Sequence, residues 1–495
     1  MAQAKGARSW LSFLALSAAV LVLDGCKIEK NGAPTPILIP IIDKAIATSS
    51  GQQSAPHVAP TTDGGAWISW YDLGDMSTSF QMRLQRIDRY GNPLFTAPGL
   101  LVADDLSSRS YMIGYALLTD WLENAVVVFT DDDGDRFTVR AYKISPGGEF
   151  LWGSQGISLA QPVGYCRDLR AVLTVDQEVT ISWTHASPSP NGKFVNVIVQ
   201  RLSNTGSPRF GGGMTISCPH GKAEDSRLIA SAEGSFILVW REIPSLDFGD
   251  DRGSIRAQRF DAKGAPIWPT PATIINQGFF SDSDGIQAVT DGRGGAFIAW
   301  NMFNLGFSMD SFWGYIQHIT ASNAPTMPAG GLPLSTEMTR QNWHKIMGYL
   351  GSNPETGEAV VNWKELDSSQ NRARYVIDLF SMDGERSWEP YGRPMSEFNE
   401  YSNENLCYEA VGALKNSVAY VYVNPNDYIV DRLFADWISK DTNAAIETII
   451  LSDVGSPKFD FDIASSPLGG FWIIWTDQRA DYGDIYAAFT PAPED

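Results

Sequence analysis

Gly294–Trp300 reads GGAFIAW: two glycines, then five apolar residues ending in Trp. In an extended chain, alternation puts Ala296, Ile298 and Trp300 on one face and Phe297 and Ala299 on the other. A strand apolar on both faces is a strand buried on both faces. The run is too short, and too rich in aromatic residues, for a helix. The same pattern recurs along the chain as GGAWISW at Gly64–Trp70, NAVVVF at Asn124–Phe129, EVTISW at Glu178–Trp183 and GSFILVW at Gly234–Trp240. It returns as GEAVVNW at Gly357–Trp363, SVAYVY at Ser417–Tyr422 and GGFWIIW at Gly469–Trp475. The terminal aromatics stand 53 to 63 residues apart. A fixed period of this length marks a repeat architecture.

A second motif follows each copy. It reads RLQRID at Arg83–Asp88, RAYKIS at Arg140–Ser145, IVQRLS at Ile198–Ser203 and RAQRFD at Arg256–Asp261. Later copies are YIQHIT at Tyr315–Thr320, VIDLFS at Val376–Ser381, FADWIS at Phe434–Ser439 and IYAAFT at Ile485–Thr490. A Gly-containing turn usually comes next, as at Lys263-Gly264-Ala265. Then an apolar residue or Trp stands, as at Trp152, Trp268 and Trp388. A short outer strand closes the unit (Gly156–Ala160, Gly213–Ser217), and an opening strand precedes each Gly-rich turn (His57–Pro60, Ile286–Thr290). Four antiparallel strands per repeat, repeated radially, predict an all-β, eight-bladed β-propeller over residues 43–490. A row of β-sandwiches is disfavoured, because the period is far below the roughly 100 residues such a domain needs. The eighth repeat has no outer strand after Ile485–Thr490, and Lys44–Ser49 (KAIATS) matches one. The N-terminal segment is therefore expected to close the last blade and cover its edge.

The repeats resemble propeller repeats of bacterial secreted and surface proteins, with a GGAxxxWxDxR…IYAQRxDxxGxxxW pattern. Gly469–Ala487 (GGFWIIWTDQRADYGDIYA) and Arg256–Trp268 (RAQRFDAKGAPIW) carry the likeness best. It implies a fold and little about activity, since propellers host many functions.

Residues 1–25 read as an export signal. Lys5 and Arg8 precede an apolar run from Trp10 to Leu23, too short for the roughly 20 residues a membrane span needs. Leu23-Asp24-Gly25-Cys26 resembles a bacterial lipobox, with Asp24 departing from the usual small neutral residue. That resemblance implies lipid on Cys26, and Lys27 after it is compatible with the outer membrane. Residues 26–42 then form a tether with Pro34, Pro36 and Pro40.

The chain has 37 Lys and Arg against 57 Asp and Glu, a net charge of −20. Such an acidic protein is a poor ligand for nucleic acid. In a four-stranded blade, the loop after the second strand and the loop to the next blade share one end. Here those are the long, variable loops, so function is expected there. They are acidic, and Phe279, Phe280, Trp313, Trp343 and Tyr401 are candidates for a binding face. Asp131-Asp132-Asp133-Gly134-Asp135 resembles a Ca²⁺ loop, with Asp131, Asp133 and Asp135 as candidate ligands. Arg136 and Tyr142 stand where an EF-hand needs Gly and Glu, so a hairpin loop is the preferred reading and Ca²⁺ the subordinate one. No HExxH, GxSxG, P-loop or CxxCH motif occurs, and no cofactor is predicted. Which pair among Cys166, Cys218 and Cys407 bridges, if any, is open.

The expectation is a non-catalytic, monomeric, lipid-anchored envelope propeller whose loop face binds a protein or glycan. The alternatives are a carbohydrate-active enzyme using loop carboxylates and a scaffold subunit of an envelope complex.

Overall fold

The computed structural model describes residues 39–493, apart from 76, 108–113, 133–136, 160–163, 188–193, 220, 246–251, 280–284, 304–311, 336–342, 368–371, 389–390, 397–398, 401–408 and 424–431. The signal segment, Cys26 and most of the tether lie outside the described residues.

The described strands fall into four-stranded units, antiparallel within each, named here by the second-strand aromatic. The Trp70 unit runs Gly51–Pro60, Ala66–Gly74, Phe80–Ile87 and Leu100–Leu106, hydrogen-bonded in that order. The Phe129 unit is Tyr115–Thr119, Ala125–Asp132, Phe137–Ile144 and Ile157–Leu159. The Trp183 unit (Tyr165–Leu173, Val179–Ser187, Phe194–Leu202, Met214–Ile216) meets the Trp240 unit (Lys222–Ala230, Phe236–Ile243, Arg252–Phe260, Ala272–Phe279) through one parallel bridge, Val195 to Lys222. A like bridge, Trp313 to Lys345, joins the Trp300 unit (Gln287–Thr290, Ala296–Phe303, Phe312–Ile319, Leu332–Pro333) to the Trp363 unit. The latter contains Trp343–Asn353, Glu358–Asp367, Arg372–Phe380 and, along its outer edge, Arg393–Pro394 and Asn399–Glu400. The Tyr422 unit is Glu409–Ala413, Ser417–Val423, Leu433–Ser439 and Ala445–Ser452. The Trp475 unit is Lys458–Ser465, Phe471–Asp477 and Asp484–Thr490, and its outer strand is Ile41–Ala47, from the N-terminal end.

The two apolar faces of each second strand go to different neighbours. Ile298 and Trp300 pack with Ile237 and Val239 of the preceding unit. Phe297 and Ala299 pack with Val361 and Trp363 of the following one. Val126 and Val128 likewise meet Ile181 and Trp183, while Val127 and Phe129 meet Trp67 and Tyr71. Trp300 fits only because Gly331 stands against it. Gly331 has φ +84°, and a Cβ there would fall 2.6 Å from the ring. Gly392 plays the same part beside Trp363, at φ +78°.

Each position of the second motif has a structural partner. Its Gln side chain pinches the turn ten residues on: Gln85 Nε2 donates to Phe95 O at 2.9 Å, and Phe95 N donates back to Gln85 Oε1 at 2.9 Å. Gln200 and Gln317 hold their turns by a like pair of bonds, to Gly211 O and Phe210 N and to Met327 O and N, and Gln258 Nε2 donates to Trp268 O. The residue at the next position of the motif pairs with the turn between the first two strands: Arg86 with Asp63 at 2.9 Å, Lys143 (which follows Tyr142) with Asp120 at 2.7 Å, His318 with Asp291 at 3.0 Å. The following Trp spans to the next unit. The indole N–H of Trp152 donates to Asn204 O, that of Trp268 to Ala321 O and that of Trp388 to Lys440 O, at 3.1, 2.9 and 3.3 Å.

The opening strands touch in sequence. Gly51–Pro60 meets Tyr115–Thr119, which meets Tyr165–Leu173, and so on through Lys222–Ala230, Gln287–Thr290, Trp343–Asn353, Glu409–Ala413 and Lys458–Ser465. Lys458–Ser465 in turn meets Gly51–Pro60. The N-terminal strand pairs with Asp484–Thr490 in register Ile41 to Phe489, Lys44 to Ala487 and Ala47 to Ile485. It starts three residues earlier than the Lys44–Ser49 expected, taking in the end of the tether. Within the added residues, Asp43 adopts φ 52° at a register shift, and both its carboxylate oxygens are held by Arg479, distant in sequence, at 2.5 and 2.7 Å.

Trp300 is 1% exposed and packs between two units. Trp300→Ala should therefore cost about 3–5 kcal/mol in transfer and cavity terms. A fall in the denaturant midpoint checks this, and an unchanged midpoint would contradict the packing described.

Candidate functional site

Because the strands alternate in direction, the loops leaving the second strands and the links between units share one end of the sheets. The W-x-D acids rise toward that end, and arginines from the neighbouring third strands engage them. Arg83 Nε stands 3.3 Å from Asp72, Arg140 Nε 2.8 Å from Asp131, Arg256 Nε 3.1 Å from Glu242 and Arg374 Nε 2.7 Å from Glu365. The indole N–H groups of Trp240 and Trp363 donate to the last two acids at 3.1 and 3.3 Å. Both the acid of W-x-D and the first Arg of R-x-Q-R are thus engaged by the fold itself.

The densest cluster lies beside the N-terminal strand. Asp477 accepts from Ser456 Oγ at 2.5 Å, Arg479 Nη2 at 2.6 Å and Trp475 Nε1 at 3.2 Å, with Lys458 Nζ at 3.3 Å. Burial opposes its ionisation, yet the donors from Arg479 and Ser456 and the Lys458 charge hold its carboxyl below the usual carboxylate range. Burial lowers the Lys458 ammonium, against the pull of Asp477. Arg479 also lies over the Tyr486 ring at 3.7 Å. Asp481 caps two backbone N–H groups, those of Gly51 and Gly483, at 3.2 Å each. Asp484 is pushed up to about 6, by burial and then by the charges of Asp481 and Asp477, with Arg479 opposing.

A second polar set lines the opening strands. Their register shifts opposite the terminal aromatic, and the bulged residues have positive φ: Ala55 49°, Asp168 55°, Asp225 51°, Asp460 52°. The carboxylates reach the next unit's backbone. Asp225 accepts from Ile286 N at 3.1 Å, Asp460 from Ala55 N at 3.1 Å, and Asp462 from Val58 N at 3.0 Å and His57 Nδ1 at 3.1 Å. Arg227 donates to Asp225 at 2.7 Å. Burial, and then the charge of Arg227, lowers the Arg170 guanidinium to about 10. The Tyr115 hydroxyl donates to Ala55 O at 2.9 Å, and burial raises its phenol well above the usual range. These carboxylates accept from backbone N–H groups and from charged neighbours, an arrangement that fixes one unit against the next.

Among the predicted site residues, Asp131 is ion-paired to Arg140, while Asp133 and Asp135 lie outside the described residues. Among the described residues, no group of three or more His, Cys, Asp and Glu side chains is gathered as a metal needs. Trp313, expected on the binding face, is 2% exposed, with the Lys345 ammonium over its ring at 4.8 Å. It lies on a strand that bridges to the next unit, which explains its burial. Phe279 pairs with Arg252 and Trp343 with Asp367 through their backbones, their side chains lying outside the described residues. Phe280, Tyr401 and Cys407 lie outside them entirely. Cys166 and Cys218 are free thiols; burial pushes Cys166 up to about 12. Cys218 lines a cavity of about 270 Å³ with Glu242, Arg252, Ser254, Arg256 and Asn276. The polar set of the opening strands is absent from the expected site. Its trace in the sequence is the charged pattern RDLR at Arg167–Arg170 and EDSR at Glu224–Arg227.

No family model matches the chain, and no curated protein matches it in sequence. Solved structures resemble it distantly. A puromycin hydrolase is 13% identical at TM-score 0.43, over 87% of this chain and 59% of the hydrolase, so the chain spans about three-fifths of that protein. The Dos1 propeller is 10% identical at TM-score 0.48, over 91% of this chain and 95% of its own. An α-L-arabinofuranosidase, Arb93A of Fusarium graminearum, is 8% identical at TM-score 0.34, over 65% and 92%.

Asp484 gives a pH test with a definite sign. The folded form holds its proton to about 6, and the unfolded form releases it near 3.8. Between those values the folded state binds the extra proton, so stability falls as pH rises through that window. Asp484→Asn removes the penalty. Its unfolding midpoint should match wild type near pH 4 and exceed it above pH 6, as thermal melts across that range would show.

Proposed function

We propose that the chain is an eight-bladed propeller, closed by Ile41–Ala47 and anchored to a bacterial outer membrane by lipid on Cys26, that binds a protein or glycan without catalysis. Closure is supported by the circuit of opening strands, in which Lys458–Ser465 returns to Gly51–Pro60. It is supported also by the first-to-last contacts, such as Trp472 Nε1 to Gly64 O at 3.2 Å. The observation that carries the non-catalytic reading is the engagement of Asp72, Asp131, Glu242, Glu365 and Asp477 by Arg side chains. A glycosidase needs one carboxyl protonated and a second carboxylate placed across the bond to be cut; Asp484 holds its proton to about 6 but is buried, and its neighbour Asp477 is held by Arg479 and Lys458. Carboxylates fixed in ion pairs are suited to holding loops in place for recognition. The anchor rests on the Leu23–Cys26 likeness, and the scaffold role in an envelope complex is the same reading with a protein partner.

Two experiments test this. Deleting residues 41–47 should lower the unfolding midpoint and promote aggregation through the bared Asp484–Thr490 edge, whereas deleting 27–38 should leave the midpoint unchanged. Equal melts would refute closure by this strand. A glycan array run beside a hydrolysis assay and a pull-down from envelope extract should give binding without cleavage. Released sugar would establish the enzymatic alternative.

A further inference from the structure

The turns at the opposite end of the sheets, between first and second strands, follow one plan. In seven of the eight described turns a polar residue opens the turn, Leu414 being the exception, and exposed residues follow: Thr62-Asp63, Ala232-Glu233 and Gly292-Arg293 are small or polar. The Phe129 unit departs from this with Trp121-Leu122, 68% and 67% exposed, and the Trp183 unit follows with Val175, 59% exposed. The turn does not need these side chains. Asp120 builds it by accepting from Leu122 N and Asn124 N, each at 2.9 Å. Trp121 N donates to Gln177 Oε1 at 2.8 Å, so the Trp121 and Val175 turns are neighbours. Tyr90 and Leu94, exposed on the outer turn of the Trp70 unit, extend the apolar set at this end.

The N-terminal strand enters at the same end. Ile41 pairs with Phe489 at the close of the last strand, Gly91 stands against Ile41, and Ile39 before it is exposed. Cys26 is 13 residues from Ile39, a reach of about 45 Å at full extension.

We propose that this short-turn end docks on a lipid bilayer, with Trp121, Leu122 and Val175 entering the interface. The proposal rests on the lipid anchor at Cys26. A tether leaving this end holds it near the membrane, and Trp beside aliphatic side chains suits the boundary between headgroups and acyl chains. The net charge of −20 repels an anionic surface, so apolar insertion supplies the attraction. The long-loop end then faces away from the membrane, toward partners.

The test uses the full chain, purified from exporting cells and mixed with zwitterionic phosphatidylcholine vesicles, plain or brominated in the acyl chains. The emission of wild type minus that of Trp121→Ser isolates one indole among the 15 that remain after the signal segment, with Trp10, is removed. Docking predicts that this difference emission is blue-shifted on plain vesicles and largely lost on brominated ones, with the same melting midpoint for both proteins. Val175→Asp should weaken the quenching while leaving Trp121 in place. Difference emission equal on the two vesicle types overturns docking, including the case where a protein partner covers this end instead. The mass of the N-terminal peptide reads the anchor separately. Lipid on Cys26 without quenching refutes docking and keeps the anchor. Quenching without lipid refutes the anchor and keeps docking, and neither result refutes both.

Discussion

A second strand with two apolar faces cannot be satisfied within its own sheet. Ile298 and Trp300 need the preceding unit, and Phe297 and Ala299 need the following one. Units so built depend on both neighbours, and among the described residues no unit precedes the Trp70 unit and none follows the Trp475 unit. The contacts of Gly51–Pro60 with Lys458–Ser465 answer that need, and the pairing of Ile41–Ala47 with Asp484–Thr490 covers the edge that remains. Large apolar area supplies the driving force between units, but area alone does not fix their angle or register.

The polar positions of the repeat supply that geometry. A Trp indole crossing to the next unit's turn, a Gln pinching its own turn and a cation held by the turn acid are each directional. Left unmade, each would cost more than it contributes when made, because the group is buried. The bulged carboxylates of the opening strands add contacts from the inside, as Asp460 and Asp462 do to Ala55, His57 and Val58. The units are thus joined at their inner strands, across their faces and at their outer turns.

This explains what could be read from the sequence. The strand order was legible because apolar alternation and Gly-containing turns are local signals. The N-terminal strand was legible as a missing piece, though its start was misplaced at Lys44, because Asp43 bulges and its pairing with Arg479 lies 436 residues away. The site was much less legible. Acids read as a rim for ligands are engaged by arginines of the adjacent strand, two motifs that look independent in sequence. Trp313 looked like a loop aromatic and is packing, because its strand bridges to the next unit. The opening-strand set was missed since a bulge, not a residue type, aims Asp168, Asp225 and Asp460.

A repeat whose marked residues all serve its own assembly carries information about function only where it breaks. The motif residues Gln85, Arg86, Asp72 and Trp268 have their partners within the fold. Substituting them tests architecture, and a loss of binding there would follow from a loss of shape. Departures are the informative positions, because the fold gives no reason for them. Trp121 and Leu122 are such a departure: the turn they occupy is built by Asp120, which accepts from Leu122 N and Asn124 N, whereas at Thr62-Asp63 the exposed Asp63 itself accepts from Gly65 N and holds Arg86. With the turn held by Asp120, the exposed Trp121 and Leu122 are free of any duty in it, and that is what makes them the positions at which a surface outside the fold is to be tested.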